Sequence, residues 1–148
     1  MKLKTLILVV SALFAILSAD SNAAAAVMLL VGSANGSSVQ RFDGTSGAFI
    51  DNFTSGGGPV SGQSCPVYGP NGNLYVKEWS YAGGVREYDG VTGVFINTVV
   101  PVISDAESAI LFGPDGKLYA EGPSRGEINR YDGATGALVG TFVPAGSG

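Results

Sequence analysis

The chain has 148 residues, no histidine, a single cysteine, and a formal net charge of −4. The absence of histidine excludes the Ser-His-Asp triad, the Cys-His pair and His-based zinc sites, and one cysteine cannot form an intramolecular disulfide. An acidic chain without a basic cluster is also a poor candidate for binding nucleic acid or an anionic membrane surface.

The N-terminal segment has the order of a secretory signal peptide. Two lysines precede an uncharged apolar stretch over 5–19, and small residues follow it at 21–23. The apolar stretch is shorter than the ~20 residues that a helix needs to cross a bilayer. We therefore predict a signal-peptide helix over 1–23 and a mature domain over 24–148 that is secreted to the periplasm or the medium. An uncleaved anchor is the alternative.

Two motifs alternate along the rest of the chain. The first, Asp-Gly-x-Thr/Ser-Gly, begins at Asp43, Asp89 and Asp132, so its copies start 46 and 43 residues apart. The second, Gly-Pro-Asn/Asp-Gly, begins at Gly69 and Gly113, which are 44 residues apart. Two motifs in fixed alternation indicate an internal repeat.

Both motifs are typical of hairpin turns. In Gly-Pro-Asn/Asp-Gly, proline sets φ at the first turn position and the last glycine supplies the positive φ that returns the chain. In Asp-Gly-x-Thr/Ser-Gly, the carboxylate can cap the amides of its own turn. The Tyr, Phe, Val and Ile residues on either side favour strands.

In chain order, the turns delimit three units over about 27–62, 63–106 and 107–148. The predicted strands lie near 27–31, 38–42 and 48–53 in the first unit, near 64–68, 73–78, 84–88 and 94–99 in the second, and near 108–112, 117–121, 127–131 and 137–143 in the third. We predict an all-β protein of β-propeller-type, four-stranded antiparallel blades, with two full blades and three strands of another, about 2.75 blades.

With these motifs the chain resembles the NHL-like and gluconolactonase-like group of bacterial β-propellers, most closely exported proteins that are often found with a PEP-CTERM sorting tail. The resemblance covers 27–148 and implies the fold rather than a chemistry. Gluconolactonase-like propellers bind a divalent metal in a central channel, which makes Glu78, Glu107 and Glu121 candidate ligands. Because the chain does not reproduce the family's ligand pattern, solvated loop charges are the favoured interpretation.

The three aspartate turns are candidate calcium sites, since hard cations take oxygen ligands from tight loops. Each of Asp43, Asp89 and Asp132 stands in a loop with one acidic residue, so capping of the turn is the favoured interpretation. No other cofactor is predicted.

Two aromatic residues, Trp79 and Tyr81, are candidate ligand contacts. They lie in a loop beyond a predicted strand, where they could stack on a sugar ring or pack between blades. Cys65 aligns with Ala109, so we expect a small buried side chain there rather than a reactive thiol.

Closed propellers have roughly four to eight blades, more than this chain supplies. We expect either a fragment of a longer product, the favoured interpretation, or two copies that build a six-blade ring; open blade edges predict self-association.

The favoured function is a non-catalytic, exported binding or scaffold module in the cell envelope or extracellular matrix, with a protein or polysaccharide partner and no nucleic-acid or membrane partner. The alternatives are a fragment of a metal-dependent lactonase or lyase-type propeller enzyme and a truncated, non-functional gene product.

Overall fold

The structure is a computed structural model that describes residues 27–32, 38–58, 66–78, 83–103, 109–122 and 126–147. Within these ranges the chain forms β-strands and no helix, so the described part offers no helical segment that could span a membrane. The predicted signal peptide, 1–23, lies outside the described residues.

The strands form three antiparallel sheets, and neighbours in each sheet are consecutive in sequence. Sheet 1 contains β1 (Met28–Gly32), β2 (Val39–Asp43) and β3 (Phe49–Asn52). Sheet 2 contains β4 (Pro66–Tyr68), β5 (Leu74–Lys77), β6 (Val85–Tyr88) and β7 (Phe95–Val100), and sheet 3 contains β8 (Ile110–Phe112), β9 (Leu118–Glu121), β10 (Ile128–Tyr131) and β11 (Leu138–Val143). The predicted all-β class and the propeller-type blades are confirmed, and each sheet lies within one predicted unit.

The two turn motifs form the hairpins that the sequence predicts. In the first motif the amide of Gly93 donates to the carbonyl of Asp89, and the amide of Asp89 donates to the carbonyl of Val94. In the second, the amide of Gly72 donates to the carbonyl of Gly69. Gly72 and Gly93 have φ values of 80° and 70°, a left-handed region that glycine enters without steric cost. The turns therefore connect β4 to β5 and β6 to β7 as antiparallel hairpins.

Sheet 2 is covered on both faces. Because successive side chains of a strand point to opposite faces, Leu74 and Val76 of β5 pack toward sheet 1 while Tyr75 packs toward sheet 3. All four residues of β5 are buried. The middle sheet is therefore stacked between the other two, as a blade is stacked between its neighbours in a propeller.

Two apolar cores fill the spaces between the sheets. The core between sheets 1 and 2 contains Val39, Phe53, Leu74, Val76 and Tyr88. The core between sheets 2 and 3 contains Tyr75, Val85, Val99, Val100, Ile103, Ile110, Leu118, Ala120 and Tyr131. Burial of apolar surface in these two layers is the main favourable term for the fold.

Backbone hydrogen bonds also join sheet 1 to sheet 2. The amide of Ser55 donates to the carbonyl of Gly93 at 2.9 Å, and the amide of Phe95 donates to the carbonyl of Ser55 at 2.9 Å. At the same junction Thr54 accepts a hydrogen bond at its hydroxyl oxygen from the amide of Val39, at 2.9 Å. The Asp-Gly turn of sheet 2 therefore lies directly against the end of sheet 1.

Candidate interaction surface

The three aspartate turns have the same internal geometry. In the first, Oδ1 of Asp43 accepts hydrogen bonds from the amides of Thr45 and Ser46, at 3.0 and 2.7 Å, and from the Ser46 hydroxyl at 2.8 Å. Oδ1 of Asp89 and Oδ1 of Asp132 accept the equivalent three hydrogen bonds in their own turns. Each carboxylate thus caps its own turn.

These hydrogen bonds stabilise the ionised carboxylates. Donation from the Ser46 amide lowers the pKa of Asp43, and donation from the Thr92 amide lowers that of Asp89. The pKa of Asp132 is lowered first by the Lys117 ammonium, whose Nζ lies 2.7 Å from Oδ2, and then by the amide of Thr135. All three groups are charged at neutral pH.

The lowered pKa values predict sensitivity to acid. A carboxyl whose pKa is lower in the folded state stabilises the fold fully above its unfolded pKa, about 3.9, and loses that contribution as pH falls through the folded pKa. We expect the urea midpoint to fall as pH drops below about 4. Asp132→Asn, which keeps the turn acceptor but not the charge, is expected to reduce this pH dependence. An equal decline for the variant and the wild type would contradict it.

The calcium hypothesis for Asp43, Asp89 and Asp132 stays a prediction. Within the described ranges, no three His, Cys, Asp or Glu side chains come close enough together to hold a metal ion. Each aspartate turn brings one carboxylate, and Oδ1 of each already accepts hydrogen bonds from its own turn.

The sequence did not indicate that Glu87 of sheet 2 is a buried carboxylate. Oε1 of Glu87 accepts hydrogen bonds from the Tyr75 hydroxyl at 2.9 Å and from the side-chain amides of Asn71 and Asn73 at 3.0 and 2.7 Å. The repeat aligns Glu87 with Arg41 and Arg130, so the repeat pattern gave no signal for a buried acid. The cluster joins the Gly-Pro-Asn-Gly turn to β5 and β6.

This cluster predicts sensitivity to alkali. Burial, and then the hydrogen bond to Glu87, raise the pKa of Tyr75 to about 12. A group whose pKa is raised stabilises the fold fully below its unfolded pKa, about 10 for tyrosine, and that contribution is lost as pH rises to the folded value. We expect the urea midpoint to fall between about pH 10 and 12, and to fall less in Tyr75→Phe. Ultraviolet titration that finds every tyrosine ionising near its ordinary pKa would contradict this.

The glutamates that were candidate ligands for a metal in a central channel do not share one environment. Glu78 lies 2.6 Å from Nη2 of Arg86, and its side chain is only 18% exposed. The expectation that Glu78 is a solvated loop charge is therefore wrong, because an ion pair shields it. Glu121 is the last residue of β9 and lines a cavity together with Leu111 and Tyr119. Glu107 lies outside the described residues, as do Trp79, Tyr81 and Cys65.

The outer face of sheet 3 is the first of two apolar faces that the described residues leave uncovered. We define the sheet 3 face by Leu111, Tyr119, Ile128, Arg130 and Phe142. Leu111 and Phe142 are each 56% exposed, and the rings of Tyr119 and Phe142 meet edge to face at 5.1 Å. A cavity of about 260 Å³ opens beside Leu111, Tyr119 and Ile128, with Glu121 and Glu127 in its wall.

The outer face of sheet 1 is the second. We define the sheet 1 face by Leu29, Val31, Phe42, Gly47 and Phe49. Leu29 and Phe49 are more than half exposed, and the rings of Phe42 and Phe49 meet edge to face at 5.6 Å. Contiguous exposed apolar side chains of this kind mark interaction sites in soluble proteins.

No protein-family model matches the chain, and no curated protein matches it. Its function is therefore inferred from the sheets, the repeated turns and the two uncovered faces.

Proposed function

We propose that the chain is an exported β-propeller repeat module, of the NHL-like type, with a non-catalytic binding or scaffold role in the cell envelope or extracellular matrix. The observation that carries this proposal is that polar and apolar side chains are used differently. The polar groups of the repeated turns are engaged within the fold, whereas the outer faces of sheets 1 and 3 present apolar side chains to solvent.

Seven charged residues of the described ranges have structural roles. Arg41 pairs with Asp51, Arg86 with Glu78 and Lys117 with Asp132. Glu87 accepts three hydrogen bonds from its own sheet. A hydrolytic centre needs acids and bases that converge on a substrate, whereas these seven groups bind one another or the turn and strand residues of their own sheets.

The chemistry of the exposed faces favours a protein partner over a polysaccharide. The residues of these two faces that are more than half exposed, Leu29, Phe49, Leu111 and Phe142, are aliphatic or aromatic and offer no hydrogen-bonding groups for sugar hydroxyls. A protein surface of matching shape would remove their apolar area from water, which is the main favourable term in association.

Export is tested by expressing the full chain in a bacterial host and determining the N-terminus of the product found in the periplasm or medium. We expect exported protein that begins near Ala24. Full-length protein that remains in the cytoplasm would contradict export.

The absence of catalysis is tested by incubating the purified chain with a panel of simple lactones and each of Ca²⁺, Mn²⁺ and Zn²⁺. We expect no hydrolysis above the rate in buffer. Turnover that a chelator abolishes and that Glu121→Gln lowers would overturn the proposal in favour of a metal-dependent lactonase.

A further inference from the structure

We propose that the sheet 1 face and the sheet 3 face are the two halves of one joint, and that two copies of the chain associate head to tail through them into a closed six-blade ring. The proposal rests on the proposed binding or scaffold function, since it names a second copy of the chain as the protein that covers these faces.

The sheet 3 face is equivalent to the face of sheet 1 that sheet 2 covers. The strand register places Tyr119, Ile128 and Arg130 where sheet 1 has Leu30, Val39 and Arg41, and it places Phe142 where sheet 1 has Phe53. In sheet 1 that face is covered by sheet 2.

The agreement extends to a specific contact. In sheet 1 the Arg41 guanidinium lies over the Phe53 ring at 4.9 Å from its centroid, and Phe53 is only 7% exposed. In sheet 3 the Arg130 guanidinium lies over the Phe142 ring at 5.8 Å, and Phe142 is 56% exposed. The same cation–π pair is thus covered by a sheet at one place and left uncovered by the described residues at the other.

The sheet 1 face is equivalent to the face of sheet 2 that packs on sheet 1. Register places Leu29, Val31 and Phe42 where sheet 2 has Leu74, Val76 and Tyr88. Those three side chains of sheet 2 are fully buried against sheet 1. Within the described residues, sheet 1 therefore exposes a covering surface and sheet 3 exposes the kind of surface that it covers.

The backbone shows the same equivalence between the sheets, at the last glycine of each Asp-Gly turn. A Cβ on Gly93 would overlap the carbonyl oxygen of Phe53 in sheet 1, and a Cβ on Gly136 would overlap that of Val99 in sheet 2. Gly47 is the equivalent in sheet 1, with a φ of 73°, and nothing lies within 4 Å of its Cβ position. In the proposed joint, Gly47 lies against the carbonyl oxygen of Phe142 from the second copy.

The number of copies follows from closure. A contact between two different faces leaves one of each free, so association ends only when a ring closes. The described residues form three sheets, so two copies make six blades, within the roughly four to eight of closed propellers, whereas three copies exceed that range.

The first experiment measures the solution mass of the purified chain by light scattering after size exclusion. We expect the wild type at twice the mass of one chain and Gly47→Asn at the mass of one chain. Asparagine is chosen because it tolerates a left-handed φ, so the variant tests side-chain bulk rather than backbone strain. Gly116→Asn is the matched control, since Gly116 has the same φ of 73°, is also open to solvent and lies outside the joint; it is expected to keep the doubled mass.

The second experiment tests that the contact is head to tail. Phe142→Asp blocks the other half of the joint and is expected to give the mass of one chain. When it is mixed with Gly47→Asn, one joint retains both intact faces, so mixed dimers are expected to reappear. Circular dichroism verifies that each variant is folded, and Leu29→Ser replaces Gly47→Asn if that variant is unfolded.

Three results overturn the proposal: a wild type with the mass of one chain, a dimer that none of these substitutions dissociates, or an open series of larger species. If an exported chain without lactonase activity has the mass of one chain, the ring fails and the proposed function stands. If a dimer hydrolyses lactones, the proposed function fails and the joint stands.

Discussion

Tyr75→Ala is expected to lower the free energy of unfolding by about 3–5 kcal/mol, the range for removing a large aromatic side chain from a core. Tyr75 is 1% exposed, and its ring meets Phe112 of sheet 3 edge to face at 4.8 Å. The substitution also removes a donor to the buried carboxylate of Glu87. Because a domain of this size is stable by only about 5–15 kcal/mol, much of its stability is expected to be lost.

The matched control is Tyr119→Ala, since Tyr119 occupies in sheet 3 the position of Tyr75 in sheet 2. Tyr119 lies on the uncovered sheet 3 face, and its hydroxyl donates to the exposed Asp115. We expect a loss of about 1 kcal/mol, the central value for point substitutions in general. Urea unfolding at protein concentrations low enough to dissociate any dimer measures both variants. Equal losses would show that sheet 3 does not cover sheet 2 as described.

Gly93→Ala is expected to lower the free energy of unfolding by about 2–5 kcal/mol, from two separate causes. The φ of 70° places an L-residue in the left-handed region, which costs roughly 1–2 kcal/mol. The new methyl group would also overlap the carbonyl oxygen of Phe53, and relief of that overlap has to separate sheet 1 from sheet 2. The hydrogen bond from the Ser55 amide to Gly93 lies at the same junction.

Gly116→Ala separates the two causes. Gly116 has a φ of 73°, and nothing lies within 4 Å of its Cβ position, so only the backbone cost of roughly 1–2 kcal/mol is expected. Thermal and urea unfolding of both variants provide the comparison. A loss for Gly93→Ala no larger than that for Gly116→Ala would rule out a close approach of sheets 1 and 2 at this turn.

The sequence was sufficient to predict the sheets because their determinants are local. Gly-Pro-Asn-Gly at Gly69 and the aspartate at Asp89 specify turns through their own backbone preferences and hydrogen bonds, and the strands between them are then short and antiparallel. The capping role of the three aspartates was likewise predictable, because acceptor and donors lie within three residues of each other.

The Glu87 cluster was not predictable in the same way. Its donors come from a turn and from the neighbouring strand, and the equivalent positions in the other two sheets are the arginines Arg41 and Arg130. The pairing of Glu78 with Arg86 was missed for a related reason, since the two groups meet through strand pairing across eight residues.

Leu29 and Leu74 show that burial could not be predicted from the local sequence. Both are leucines at equivalent positions of equivalent strands, paired with the aromatic residues Phe42 and Tyr88 respectively, and their sequence environments predict the same alternation of faces. Leu74 is completely buried and Leu29 is half exposed, because a sheet is stacked on the first and none of the described residues covers the second. Turns and strands follow from chemistry within a few residues, whereas burial, and with it the identity of the interaction faces, depends on which sheets stack against each other.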